Sequence, residues 1–173
     1  MLLHTERLRL RELSTEDFAA VHAFASDPEV CRYSPWGPNS EQQTRDFIHS
    51  AIAEADRHPR TRFTLAIECN TQVIGAASFT RLDAEHGEIG YTLERNFWSR
   101  GYATEAAQAL LDWALNTGGC LSVIATCRPE NIGSWRVLEK IGMRRESLLA
   151  QHIWIRDHLE DSYLYRSGSA PVS

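Results

Sequence analysis

A switch in hydrophobic period at His58-Pro59 confines this chain to a narrow set of folds. Ahead of it, apolar residues recur at helical spacing; behind it, Phe63, Leu65 and Ile67 alternate as in a half-buried strand. Asn70-Thr71 turns the chain and Val73–Thr80 returns as the second strand of a hairpin, with a third strand at Glu88–Leu93. Then Ser99-Arg100-Gly101-Tyr102-Ala103 opens a long helix, Thr104–Asn116, ended by Gly118-Gly119. Another β-type run follows at Leu121–Cys127. Hairpins pair antiparallel, whereas a strand–helix–strand passage returns parallel and right-handed. The order therefore predicts an α/β chain with a mixed sheet.

The flanks fill in the rest. Arg7–Arg11 alternates as an opening strand. Ser14 with Asp17 caps a helix continued by Phe18, Val21, His22 and Ala25. Asp27-Pro28 reads as the start of a short helix, Ser34–Pro38 as loop, and Ser40 with Gln43 as the cap of a helix carrying Phe47, Ile48, Ala51, Ile52 and Ala55. Ser134–Ile141 is a short helix stopped by Gly142. Ser147–Ile155 and Asp161–Tyr165 form two last strands around Arg156-Asp157-His158. Residues 1–167 are expected to make a single domain and 168–173 a frayed tail.

Composition narrows the function classes. Eighteen Lys plus Arg against 23 Asp plus Glu give −5, which lacks the basic footprint of a general nucleic-acid binder. No apolar run approaches the ~18–20 residues of a membrane span, and charges from Glu6 onward interrupt the place of a signal-peptide core. Cys31, Cys69, Cys120 and Cys127 form no C-x-x-C pair, and no metal-ligand spacing occurs. Reduced thiols, no metal and a cytoplasmic location are the expectations.

Two segments carry chemistry. Phe97–Glu105 runs from a strand through a Gly-containing loop into a helix, where small residues and unpaired first-turn N–H groups suit a diphosphate. The same spacing also fits a plain strand-to-helix turn, since no G-x-G-x-x-G or Gly-Lys-Ser/Thr is present. Asn131-Ile132-Gly133-Ser134 follows the next strand; capping alone accounts for Asn131 and Gly142.

Together these segments resemble the GNAT superfamily of acetyl-CoA-dependent N-acetyltransferases, and within it the RimJ/RimL-type branch. The likeness rests on Glu88-Ile89-Gly90-Tyr91, Trp98–Ala106, Asn131-x-x-Ser134 and Leu138–Glu146, with Thr5–Arg11 and Arg156–Tyr165 as the branch's opening strand and closing hairpin. It implies the GNAT fold: a central, mostly antiparallel mixed sheet, splayed between the strands at 88–93 and 121–127 and flanked by about four helices. It implies acetyl-CoA as cosubstrate, with Trp98, Ser99, Arg100, Gly101, Tyr102, Ala103 and Thr104 holding the pyrophosphate. Tyr91, Thr92 and Leu93 would offer backbone groups to the pantetheine arm, with Asn131 beside it and Ser134 near the sulfur.

Trp98 replaces the superfamily's usual first loop residue, as is common in this branch. Leu138 stands where many members have a tyrosine general acid, which leaves Ser134 as leaving-group stabiliser. Departure of a thiolate with pKa near 8.5 costs only about 2 kcal/mol at pH 7, so a hydrogen-bonding hydroxyl suffices. Glu88 is the leading general base, with a solvated carboxylate beside a turn as the competing assignment; alternation leaves open which face of the sheet it occupies. His152 and Asp157 are reserves for the base, and Tyr33 and Trp36 are candidates for an acceptor pocket. The other histidines read as surface or packing residues.

The expected reaction is direct transfer of acetyl to a primary amine, either a protein N-terminal α-amine or a small-molecule amine, in a ternary complex. No cysteine falls in the motif core to serve as a covalent nucleophile. The alternative, kept open by Leu138, is a non-catalytic acyl-CoA sensor on the same fold. The branch is often dimeric, and a homodimer is left open.

Overall fold

The computed structural model describes residues 1–168. The elements are β1 (Leu2–His4), β2 (Arg9–Glu12), a 3-10 turn (Thr15–Asp17), α1 (Phe18–Ala25), α2 (Glu41–Ala55), β3 (Arg62–Cys69), β4 (Gln72–Arg81) and β5 (His86–Leu93). A second 3-10 turn (Arg95–Phe97), α3 (Tyr102–Asn116), β6 (Ser122–Cys127), α4 (Ile132–Lys140), β7 (Arg144–Ile155) and β8 (His158–Gly168) complete the chain. Among the described residues all eight strands join one sheet in the order β1-β2-β3-β4-β5-β6-β8-β7, and only β5 and β6 run parallel. This is the expected mixed sheet with its single crossover through α3.

Strand alternation divides the core between the two faces. Leu65, Ile67, Ala77, Phe79, Ile89 and Leu93 point toward α3, where they meet Ala106, Ala107, Leu110 and Leu111. Phe63, Phe79 and Trp113 add an aromatic cluster, with ring centroids 5.2–5.9 Å apart. Ala66 and Ala76 point the other way, onto Val21, Phe24 and Ala25 of α1 and Ile48 and Ala51 of α2. The small side chains on that face let the two helices sit close to the sheet.

Local signals decide most boundaries. The Ser40–Gln43 capping box forms, with Ser40 Oγ accepting Gln43 N–H at 3.2 Å and Gln43 Oε1 accepting Ser40 N–H at 2.8 Å. Asp17 accepts Ser14 N–H at 2.8 Å and also takes a twofold contact from Arg11, so the cap doubles as an anchor for β2. Asn70 and Thr71 both adopt positive φ, 48° and 68°, as a two-residue hairpin loop requires.

Three expectations need correction. The short helix at Asp27-Pro28 is one turn, Cys31 N–H to Asp27 C=O at 3.1 Å, and it does not propagate. Pro35 and Pro38 lie too close downstream to allow the next turns. The opening strand is a hairpin rather than a single strand: Leu3 pairs with Leu10, and a three-residue β1 is too short to show a period. Gly168, the first residue of the expected tail, still belongs to β8, paired with Ser122. The rest of the expected tail lies outside the described residues.

Candidate active site

The sheet opens next to its one parallel join. β5 and β6 share three rungs, ending at Glu88–Ile124; from Ile89 onward no strand among the described residues pairs with β5 on that side. The strands thus splay where the resemblance places the splay. The opening is part of a cleft of about 660 Å³ that runs from the loop after α1 to the exposed face of α4. Tyr91, Thr92, Leu93, Trp98, Ser99, Gly101, Tyr102, Ala103, Thr104, Asn131 and Ser134 all line it. Arg100 and Glu88 do not.

At one end lies the start of α3. Gly101 is its N-cap, with φ of 82° and no capping side chain. A left-handed φ is available to glycine without strain, and a Cβ here would come within 3.3 Å of Arg7 Nη2. The first N–H groups of the helix, on Tyr102, Ala103 and Thr104, have no intrahelical acceptor and carry the positive end of the dipole. Trp98 fixes the loop by donating its indole N–H to Leu93 C=O at 2.9 Å, an interaction the sequence does not announce.

A second brace was also missed. Arg7 donates from Nε to Glu105 Oε2 at 2.6 Å and from Nη1 to Arg100 C=O at 3.0 Å, and stacks over Tyr102 at 4.5 Å. Arg7 N–H and the Thr5 hydroxyl complete the shell around Glu105. Burial pushes the Glu105 carboxyl up, but hydrogen bonds from Thr5 and Arg7 outweigh it and hold the group below its ordinary value. The Glu105 carboxylate in the first turn of α3 thus stays ionised, with its charge paired to Arg7. Arg100 contributes its carbonyl to this brace while its guanidinium lies 5.7 Å from the Phe97 ring.

At the other end, Asn131 caps α4 by accepting Ser134 N–H at 3.2 Å. The Tyr91 hydroxyl donates to Ser134 C=O at 2.9 Å and lies 3.2 Å from Ser134 Oγ. Leu138 is 1% exposed and faces the core, so the position of the missing tyrosine does not open on the cleft in this chain. Cys127 lies close to Ser134, nearer the site than the sequence suggested. Burial pushes its thiol up to about 11, with Arg128, Arg145 and Ser134 opposing the shift, which makes it a poor nucleophile at neutral pH.

The register settles the face of Glu88. Thr80 pairs with Glu88 and Ala76 with Thr92, so Glu88 shares the α1/α2 face with Ala76, while Tyr91 shares the α3 face with Ala77. Glu88 is half-buried and makes no ion pair among the described residues. Burial raises its pKa, opposed only by His152. The His152 ring bonds Ser162 Oγ at 2.8 Å. Asp157 lies at the exposed hairpin tip on His158, away from the cleft. Of the two acceptor-pocket candidates, Tyr33 lines the cleft, whereas Trp36 packs on Phe24 and Phe47 beneath the loop.

A splayed sheet with a diphosphate-ready helix in the opening is the architecture of an acyl-CoA-dependent transferase. Residues 7–144 match the acetyltransferase (GNAT) domain family. An uncharacterized N-acetyltransferase of Bacillus subtilis, YnaD, is 35% identical over 95% of both chains. The ribosomal-protein-serine acetyltransferase of Escherichia coli is 28% identical over 93% of this chain and 96% of its own. Among solved structures, a GNAT-family acetyltransferase from Bacillus anthracis superposes with a TM-score of 0.87 at 32% identity, covering 97% of this chain and 98% of that one. RimL, a ribosomal L7/L12 alpha-N-protein acetyltransferase solved with coenzyme A, shares the fold with a TM-score of 0.86 at 20% identity, covering 97% and 98%. The chain belongs to the GNAT acetyltransferase family, and it is an acetyl-CoA-dependent N-acetyltransferase. No helix among the described residues is long and apolar enough to cross a membrane.

Proposed function

We propose that the chain transfers acetyl from acetyl-CoA directly to a primary amine, a protein N-terminal α-amine or a small-molecule amine, within a ternary complex. The observation that carries this reading is the placement of Glu88. Its desolvated, unpaired carboxylate stands at the mouth of the splay, on the face opposite the α3 loop. Cosubstrate lies along the α3 side, with its diphosphate on the first turn of α3 and its pantetheine along the open edge of β5. The amine enters from the α1/α2 side, past Tyr33.

Glu88 takes the amine proton, directly or through one water, as the nitrogen lone pair attacks the thioester carbonyl. The carbon–sulfur bond breaks, its electron pair stays on sulfur, and the Ser134 hydroxyl donates a hydrogen bond to the leaving thiolate. An α-amine with pKa near 8 costs about 1.4 kcal/mol to deprotonate at pH 7, against about 4.6 kcal/mol for a lysine-like amine. One carboxylate suits the first better, and the Escherichia coli relative is, by its name, a ribosomal-protein-serine acetyltransferase. The high pKa of Cys127 argues for direct attack rather than an acyl-enzyme.

Initial rates with peptides bearing free N-termini, with amino acids and with polyamines test this reading. The expected result is transfer to at least one α-amine, with double-reciprocal lines that intersect. Transfer only to hydroxyl or thiol acceptors would overturn it.

A further inference from the structure

We propose that Tyr91, entering from the sheet, is the positioning residue that aims the Ser134 hydroxyl at the leaving sulfur. The proposal rests on the reading of Ser134 given above and deepens it. Ser134 is held at three atoms: Asn131 Oδ1 accepts its N–H at 3.2 Å, Tyr91 donates to its carbonyl at 2.9 Å, and the same phenol lies 3.2 Å from its Oγ. Tyr91 is on the arm of β5 beyond the last parallel rung, and both residues line the cleft. With Leu138 turned into the core, the residue four positions further along α4 offers Ser134 no hydroxyl.

A phenol has one proton and two lone pairs. With its proton on the Ser134 carbonyl, Tyr91 accepts the Ser134 hydroxyl proton, and serine lone pairs face the cleft. That arrangement suits a neutral thioester, whose sulfur needs no donor. When the carbon–sulfur bond breaks, Ser134 turns its proton to the thiolate. The phenol then swings its own proton from the carbonyl to Ser134 Oγ, which strengthens the donation through a two-hydroxyl chain. No proton leaves Tyr91. Burial holds the phenol far above its ordinary pKa, so it stays neutral throughout and the released thiolate is protonated later from water.

The Tyr91→Phe variant keeps the ring and removes only the hydroxyl. It is to be compared with wild type, Ser134→Ala and the double variant, measuring kcat, the KM for acetyl-CoA and the thermal shift on adding CoA. The expected result is a kcat about tenfold lower in Tyr91→Phe, with KM within about twofold and an unchanged CoA shift, the scale of one lost hydrogen bond. The double variant is expected to be no slower than Ser134→Ala, because Tyr91 acts through Ser134. A slow Ser134→Ala beside a wild-type Tyr91→Phe overturns this proposal alone. So does a double variant whose loss is the product of the two single losses. Wild-type kcat in Ser134→Ala overturns the leaving-group reading itself, and the proposal with it.

Discussion

Glu88 pairs with Ile124 at the last parallel rung between β5 and β6, and beyond that pair the edge of β5 is open. Glu88 therefore sits at the start of the opening, on the α1/α2 face and outside the cleft lining, while the Ser134–Tyr91 pair is on the α3 side. A thioester lying in the opening would have a proton acceptor on one face and a hydrogen-bond donor on the other. Inversion of that order, with both groups on one face, would force amine and cosubstrate into the same space.

Replacing Glu88 by Gln should lower kcat/KM about 100-fold for an α-amine acceptor. The loss should be largest below the pKa of the amine and smallest at alkaline pH, where free amine is already abundant. The wild-type acid limb should lie above the ordinary carboxylate value, since burial raises the Glu88 pKa. Superimposable pH–rate profiles for the two proteins would remove Glu88 as the base.

The same substitution makes an opposite prediction for stability. With its folded pKa raised, Glu88 binds its proton more tightly in the native state, so ionisation penalises folding only as pH rises through that folded value. Glu88→Gln should accordingly raise Tm at pH 7–8 and leave it unchanged near pH 4. A lower Tm at neutral pH would show that the carboxylate is stabilised by a partner.

How far the site was legible in the sequence depends on the range of each interaction. Gly101, Asn131 and the Ser40–Gln43 box are local devices, and spacing was enough to find them. Eleven of the residues named from the resemblance line one cleft, because the loop and the α4 cap are contiguous motifs. Arg7–Glu105, Trp98–Leu93 and Tyr91–Ser134 depend on which strand face meets which helix, and Glu88's side of the sheet depends on the β4–β5 register. Trp36 reads like a pocket aromatic in sequence, yet it fills the gap between Phe24 and Phe47. Cys127 is separated from Ser134 by a strand end and a turn, so its proximity emerged only from the fold.

Arg7→Ala should raise the KM for acetyl-CoA several-fold with little change in kcat. It leaves the Glu105 carboxylate uncompensated in the first turn of α3, at the proposed diphosphate site. Adding Glu105→Gln should recover most of the loss, and high salt should narrow the gap between Arg7→Ala and wild type. Failure of the double variant to recover would make the brace purely mechanical.

Asn131→Ala removes the side-chain cap of α4 and should cost about 1 kcal/mol of stability, read by denaturant unfolding. Because Asn131 also fixes Ser134 N–H, kcat should fall with it. An undiminished kcat would mean that Tyr91 alone holds Ser134 in place.

The most direct test of the central claim is rapid quenching of the enzyme with acetyl-labelled CoA, with and without an α-amine acceptor. Direct attack predicts no label on the protein without acceptor, and one acetylated amine per thiol released when acceptor is present. Label appearing on the protein at Cys127 before acceptor is added, or saturable CoA binding with no transfer to any amine, would contradict it.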